Sequence, residues 1–219
     1  MADRKGAAAS APAGRHNRRE EVLEAAIEIF HSKGYPSASI QDVADSVGVL
    51  KGSLYHYIDS KEDLLANVFE GSDEQSFEIM KETDALAEPA IDRLRFFVRE
   101  WSLWHLANLE RAAVYSNEWK HLADERLARV KQRRRDYERF VGKMIDKVKA
   151  EGDADADLDS RYACFLILSA INGLPTWYRR HGPDSAAHIA DVYADMIVGM
   201  VCCSPGRARP AKAQRKASQ

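Results

Sequence analysis

Apolar residues recur at steps of three and four along almost the whole chain, and no stretch alternates with the period of two that a half-buried strand requires. The pattern predicts an all-α protein. Val22, Ala25, Ala26, Ile29 and Phe30 make the inner face of a first helix, which Gly34 and Pro36 end. Ile40, Val43, Ala44 and Val47 line a short second helix, with Ser39 placed to cap it by accepting a backbone N–H, and Gly48 breaks the pattern. A third helix of about two turns is expected from Leu50 to Ile58, with Leu50, Leu54 and Ile58 as its apolar edge. Its other edge carries Lys51, Gly52, Tyr55 and His56. A cation, a glycine that permits close approach, a phenol and an imidazole suit phosphates or base edges. Two short helices joined by a glycine-containing turn, the second offering such a face, predict a helix-turn-helix that enters a DNA major groove.

The remaining helices read as a larger bundle. Phe96, Phe97, Trp101, Trp104 and His105 crowd one helix, with Tyr115 and Trp119 shortly after, and aromatics at this spacing serve as core or as the wall of a ligand pocket. A helix from about Asp124 to Ala150 presents Leu127, Val130, Arg134, Tyr137, Val141, Met144 and Val148 on one stripe. Arg134 interrupts that stripe. It either snorkels to water or, with Arg133 or Lys131, receives an anionic ligand. An eighth helix, Leu158 to about Arg180, contains Asn172, Gly173 and Pro175, so its ladder must break near Ile171 and free backbone groups beside Asn172. A last helix, Ser185 to Cys203, carries Ile189, Val192, Tyr193, Met196, Ile197 and Met200 as a broad apolar stripe.

Composition narrows the function. The chain has 219 residues, 45% of them hydrophobic, enough to bury a substantial core, and no run approaches the roughly 20 apolar residues of a membrane span. The start around Ala7–Ala13 is too polar for a secretory signal, so a cytoplasmic protein is expected. Net charge is −2, which does not by itself advertise a nucleic-acid partner. Both ends are nevertheless basic, Arg4, Lys5, Arg15, Arg18 and Arg19 at one and Arg207, Arg209, Lys212, Arg215 and Lys216 at the other, and residues 1–16 and 204–219 read as disordered tails. Cys164, Cys202 and Cys203 have neither disulfide nor metal-ligand spacing, and no cofactor is expected. An enzyme alternative rests on Glu28-x-x-His31 and Glu118-x-x-His121, the spacing of di-iron carboxylate bundles, although the first pair falls inside the expected helix-turn-helix unit.

The continuous run from Ser39 to Leu65, preceded by Ala25-Ala26, Phe30 and Gly34-Tyr35, resembles the DNA-binding signature of the TetR family of bacterial transcription regulators. That resemblance implies an all-helical homodimer, with a three-helix DNA-binding domain over residues 17–63 and a larger ligand-binding and dimerisation domain over 64–203. It implies that Ser39 and Tyr55 bond phosphates, that Lys51 and Gly52, in the same run as Ser53, approach the groove, that His56 meets backbone or base, and that Lys61 anchors a phosphate. Ser60 and Asp63 resemble a capping box that opens the fourth helix. One departure stands at Leu50, where the family commonly has Ser or Thr. Leucine cannot cap, so Leu50→Ser is expected to keep or raise operator affinity. The segment from Asn172 to Pro183, with Trp177-Tyr178-Arg179, is similar to family members that answer to acyl-CoA thioesters of fatty, aromatic or steroid acids. Ligand contacts are therefore expected from Trp101, Trp104, His105, Tyr115, Arg134, Tyr137, Asn172 and Trp177. The implied protein is a repressor of a palindromic double-stranded operator, released by a small-molecule effector. Control of an efflux pump by lipophilic compounds is the alternative.

Overall fold

The structure is a computed structural model that describes residues 13–202. The helices run in the order α1 (Ala13–Lys33), α2 (Ile40–Val47), α3 (Lys51–Leu54), α4 (Lys61–Ala85), α5 (Ala90–Ala107), α6 (Leu109–Asn117), α7 (Asp124–Glu151), α8 (Ser160–Asn172), α9 (Leu174–Trp177) and α10 (Ala186–Cys202). A single 3₁₀ turn, Trp119–His121, lies between α6 and α7. No helix among the described residues is long and apolar enough to cross a membrane. Contacts divide the chain into two compact units, residues through Glu74 with Leu109–Lys131, and Gln75–Asn108 with residues from Gln132 onward.

In the first unit, Val22, Ala26, Ile27 and Phe30 of α1 are buried with Val43, Ala44, Leu54 and Ile58. Gly34 and Gly48 adopt φ +74° and +71°, the left-handed region in which glycine carries no Cβ penalty. At the end of α2 the chain closes with Val49 N–H donating to Ala44 O at 3.0 Å, the wide bond of a Schellman turn. The first helix begins at Ala13, inside the stretch expected as tail, because each residue added to an existing helix gains a backbone bond. The rest of that tail, and the tail beyond Cys202, lie outside the described residues.

The second unit is built on α5. Leu94, Phe97, Val98, Trp101 and His105 are buried, and α8, α9 and α10 all pack against this helix. The expected eighth helix is in fact two: α8 stops at Asn172, and Pro175 lies within the short α9. A proline at the head of a helix forfeits no bond, whereas within a continuous one it would. The broad stripe of α10 also divides. Ile189, Ala190, Ala194, Ile197 and Val198 are buried, while Val192 and Met196 stay exposed. Tyr162, Phe165 and Leu166 are likewise exposed on α8.

Candidate nucleic-acid interface and effector core

The helix-turn-helix is held by a small polar cage around Asp42. Ser39 caps α2 by accepting from Asp42 N–H at 3.2 Å, and Asp42 Oδ2 accepts in return from Ser39 N–H and Ser39 Oγ–H, each at 2.8 Å. Lys33 of α1 closes the cage with a 2.7 Å bond to Asp42 Oδ1. That lysine, and then the Ser39 hydroxyl and amide, hold the Asp42 carboxyl down to about 2. Asp42 thus closes the capping box of α2 and, through Lys33, ties it to α1.

The third helix differs from its expected form. Ser53 N–H bonds Leu50 O at 2.8 Å and Tyr57 N–H bonds Leu54 O at 2.8 Å, three-residue bonds that tighten the backbone and limit α3 to Lys51–Leu54. Leu50 therefore precedes the helix in an extended conformation (φ −70°, ψ 140°) and is 81% exposed, so it forms no apolar edge with Leu54 and Ile58. Lys51, Gly52, Tyr55 and His56 are exposed as expected, Ser53 is half-buried, and a methyl built on Gly52 meets nothing within 4 Å. Lys61 is half-buried: its ammonium donates to Pro36 O at 3.4 Å and sits 4.2 Å over the Tyr35 ring, and burial lowers its pKa. Ser60 accepts from Asp63 N–H at 3.0 Å, but Asp63 returns its carboxylate to the amide of Asp59, so the box is displaced by one residue. Lys51→Gln is expected to weaken operator binding and to flatten the dependence of log affinity on log salt by about one unit. Unchanged affinity across a salt titration would remove Lys51 from the interface.

In the second unit the expected ligand residues converge only in part. Trp101 stacks on Trp104 with ring centres 5.0 Å apart, His105 meets both edge-on, and Tyr137 lies 5.8 Å from Trp101. Tyr137 hydrogen-bonds Ser76, and the Trp104 indole N–H donates to Gln75. His105 donates from Nδ1 to Trp101 O at 2.8 Å, with Nε2 placed 3.2 Å from Asn172 Oδ1. Desolvation pushes its pKa down to about 4, so the ring is neutral near pH 7. Ser102 Oγ is buried without a hydrogen-bond partner among the described residues. Arg134 is half-buried on α7. Tyr115 belongs to the first unit, where it packs on Phe69 and its hydroxyl donates to Asp73 at 3.1 Å. Trp177 is exposed and stacks on Tyr193 of α10.

Sequence reasoning missed a groove of about 450 Å³ in the second unit, lined by Arg93, Arg139, Lys143 and Lys147, by Asp84 and Asp136, and by Met80, Phe140 and Met144. Arg93 pairs with Asp84 and Arg139 with Asp136, which leaves an excess of positive charge at Lys143 and Lys147. Phe140 joins it to the aromatic cluster through Phe97, at 5.4 Å. The spacing of Arg139, Lys143 and Lys147, four residues apart on one helix face, was the available signal. Cys164 is buried, with its thiol pushed up to about 11, unsuited to redox sensing. The di-iron alternative fails on geometry: Glu28 and His31 are exposed, Glu118 and His121 pair with each other at 3.3 Å, and no three His, Cys, Asp or Glu among the described residues are placed to hold a metal.

Residues 22–68 match the bacterial regulatory proteins of the tetR family, and residues 87–201 match the tetracyclin repressor-like, C-terminal domain. The HTH-type transcriptional repressor KstR2 of Rhodococcus jostii (strain RHA1) is 26% identical over 186 residues, covering 84% of this chain and 91% of that protein. The structure of the ketosteroid transcriptional regulator KstR2 of Mycobacterium tuberculosis superposes with a TM-score of 0.80 at 25% identity, covering 85% of this chain and 96% of the other. The fold is also that of AibR, solved in complex with isovaleryl coenzyme A and operator DNA, with a TM-score of 0.74 at 22% identity over 84% of this chain and 97% of that one. A helix-turn-helix with an exposed polar face, a separate helical unit and two domain matches that between them span most of the chain lead to one conclusion: the protein belongs to the TetR family of bacterial transcriptional regulators, DNA-binding, ligand-responsive proteins that are not enzymes.

Proposed function

We propose that the protein is a homodimeric repressor that binds a palindromic operator and leaves it when an acyl-CoA thioester binds, controlling a catabolic pathway in the cytoplasm. Residues 17–63 read the DNA, through Ser39, Lys51, Gly52, Ser53, Tyr55, His56 and Lys61. Residues 64–203 pair the subunits and receive the effector.

The observation that carries the effector class is the basic groove beside an aromatic cluster. A thioester of coenzyme A combines an apolar acyl group with several phosphate charges. Met80, Phe140 and Met144 on the groove wall offer the first an apolar surface backed by the buried aromatic cluster, and Lys143 and Lys147 offer the second opposite charge. Similarity to a ketosteroid regulator, and a fold that in AibR holds an acyl-CoA, support the same class. His105, held neutral among aromatics, favours the second reading, an uncharged lipophilic effector and an efflux pump.

The test is release of a fluorescent duplex, taken from DNA beside the protein's own gene, by a steroid-acid CoA thioester, its free acid, coenzyme A alone and a neutral lipophilic dye. Release by the thioester alone is expected, and the duplex must weaken thioester binding by the same factor. Release by the dye but not the thioester would overturn the acyl-CoA reading in favour of the second.

A further inference from the structure

Leu50 is the most exposed large hydrophobic among the described residues, at 81%. The apolar residues around it behave differently: Val43, Ala44, Leu54 and Ile58 are all buried. Leu50 contributes nothing visible to folding, since it sits ahead of α3 with no side-chain cap bond, where a Ser or Asp would stabilise the helix. The remaining exposed large hydrophobics lie elsewhere, except Tyr55 at 49%, which belongs to the same short segment. A costly exposed aliphatic side chain therefore sits within one residue of Lys51 and two of Gly52, on the open face proposed to meet DNA.

The major groove offers donors and acceptors on every base pair but one apolar group, the C5-methyl of thymine. An aliphatic side chain entering that groove has a single partner of its own chemistry. We infer that Leu50 reads a thymine methyl in each operator half-site, making it a specificity-determining residue. The inference rests on the DNA-binding reading above. It also recasts the substitution Leu50→Ser, in which a regained cap offsets a lost methyl contact, so that total affinity is a poor readout and methyl discrimination a good one.

The experiment starts from a duplex selected by the full-length protein out of a randomised library, in which each thymine is then replaced by deoxyuridine, identical but for the methyl. One position per half-site is expected to lose roughly four-fold in affinity for the unsubstituted protein, the worth of one buried methyl. Leu50→Ala and Leu50→Ser should bind the thymine and uracil duplexes equally. Leu50 is exposed enough that Leu50→Ala should keep its thermal midpoint within a degree or two and Leu50→Ser should keep or raise it by a few degrees through the regained cap, which checks folding. Equal losses in all three proteins, or no sensitive thymine, would overturn the role of Leu50 while leaving DNA binding standing. Enrichment of no duplex by the unsubstituted protein would overturn the DNA-binding reading and this inference with it.

Discussion

Leu166→Asp combined with Met196→Asp should convert the protein to a monomer and lower its affinity for a palindromic operator by about 10²–10⁴-fold. Leu166 on α8 and Met196 on α10 are 57% and 67% exposed, whereas their neighbours Ile167 and Ile197 are buried. Each helix thus spends one apolar side on its own core and leaves another uncovered. Such a face costs free energy in water unless a second copy covers it, and a two-fold seam brings the same side chains together from both subunits. Four aspartates at that seam would face one another, which association cannot tolerate. Because neither side chain contributes to the buried core, helix content measured by circular dichroism should be retained. The affinity loss follows from geometry: one recognition segment fills one half-site, and the second is bound at high effective concentration only when the subunits are joined. Sedimentation that still reports a dimer would place the seam elsewhere. A monomer that binds the palindrome undiminished would sink the proposal that pairing sets operator recognition.

What the sequence revealed depended on how local each feature is. The buried face of α1 and α2 was legible because both helices present their core residues at a single period, and Gly34 and Gly48 end them by a rule that needs no tertiary context. Leu50 was misread for a related reason. Its four-residue spacing from Leu54 implies a shared face only if the helix already includes it, and the three-residue bonds of α3 leave it outside. Tyr115 follows His105 by ten residues, yet the helix ends at Asn108, which caps α5, and α6 joins the other unit. The basic groove was invisible as a cavity, since its walls come from α4, α5 and α7 and only their convergence creates a volume. The tie between His105 and Asn172 spans 67 residues and could not be paired from spacing at all.

That tie leads to the second large expected effect, on stability. His105 is fully buried, and burial, against the bonds to Trp101 and Asn172, holds its pKa at about 4. The ring nitrogens face two oxygens, Trp101 O at 2.8 Å from Nδ1 and Asn172 Oδ1 at 3.2 Å from Nε2. With Nδ1–H committed to Trp101 O, a neutral ring presents a lone pair at Nε2, which the Asn172 amide meets with its NH₂ only when turned end for end. An unfolded histidine titrates near 6.5. Above that pH both states are neutral and His105 adds no pH dependence. As pH falls from about 6.5 towards 4 the unfolded chain takes up a proton that the folded protein refuses, so stability is lost through that window, by about 3 kcal/mol in total, and no further below it. His105→Gln cannot bind that proton. The variant should be less stable than the unsubstituted protein at pH 7.5, because a buried aromatic contact and the Trp101 bond are disturbed, but the difference should shrink by most of 3 kcal/mol by pH 4. Asp42, held at about 2, loses its contribution only below about pH 4, and carboxylates that titrate within the window act equally on both proteins and cancel in the comparison. Urea unfolding of the two proteins at half-unit steps from pH 7.5 to 4 provides the measurement. A stability difference that stays constant across the series would mean that His105 already carries a proton in the folded protein, with the Asn172 oxygen as its acceptor.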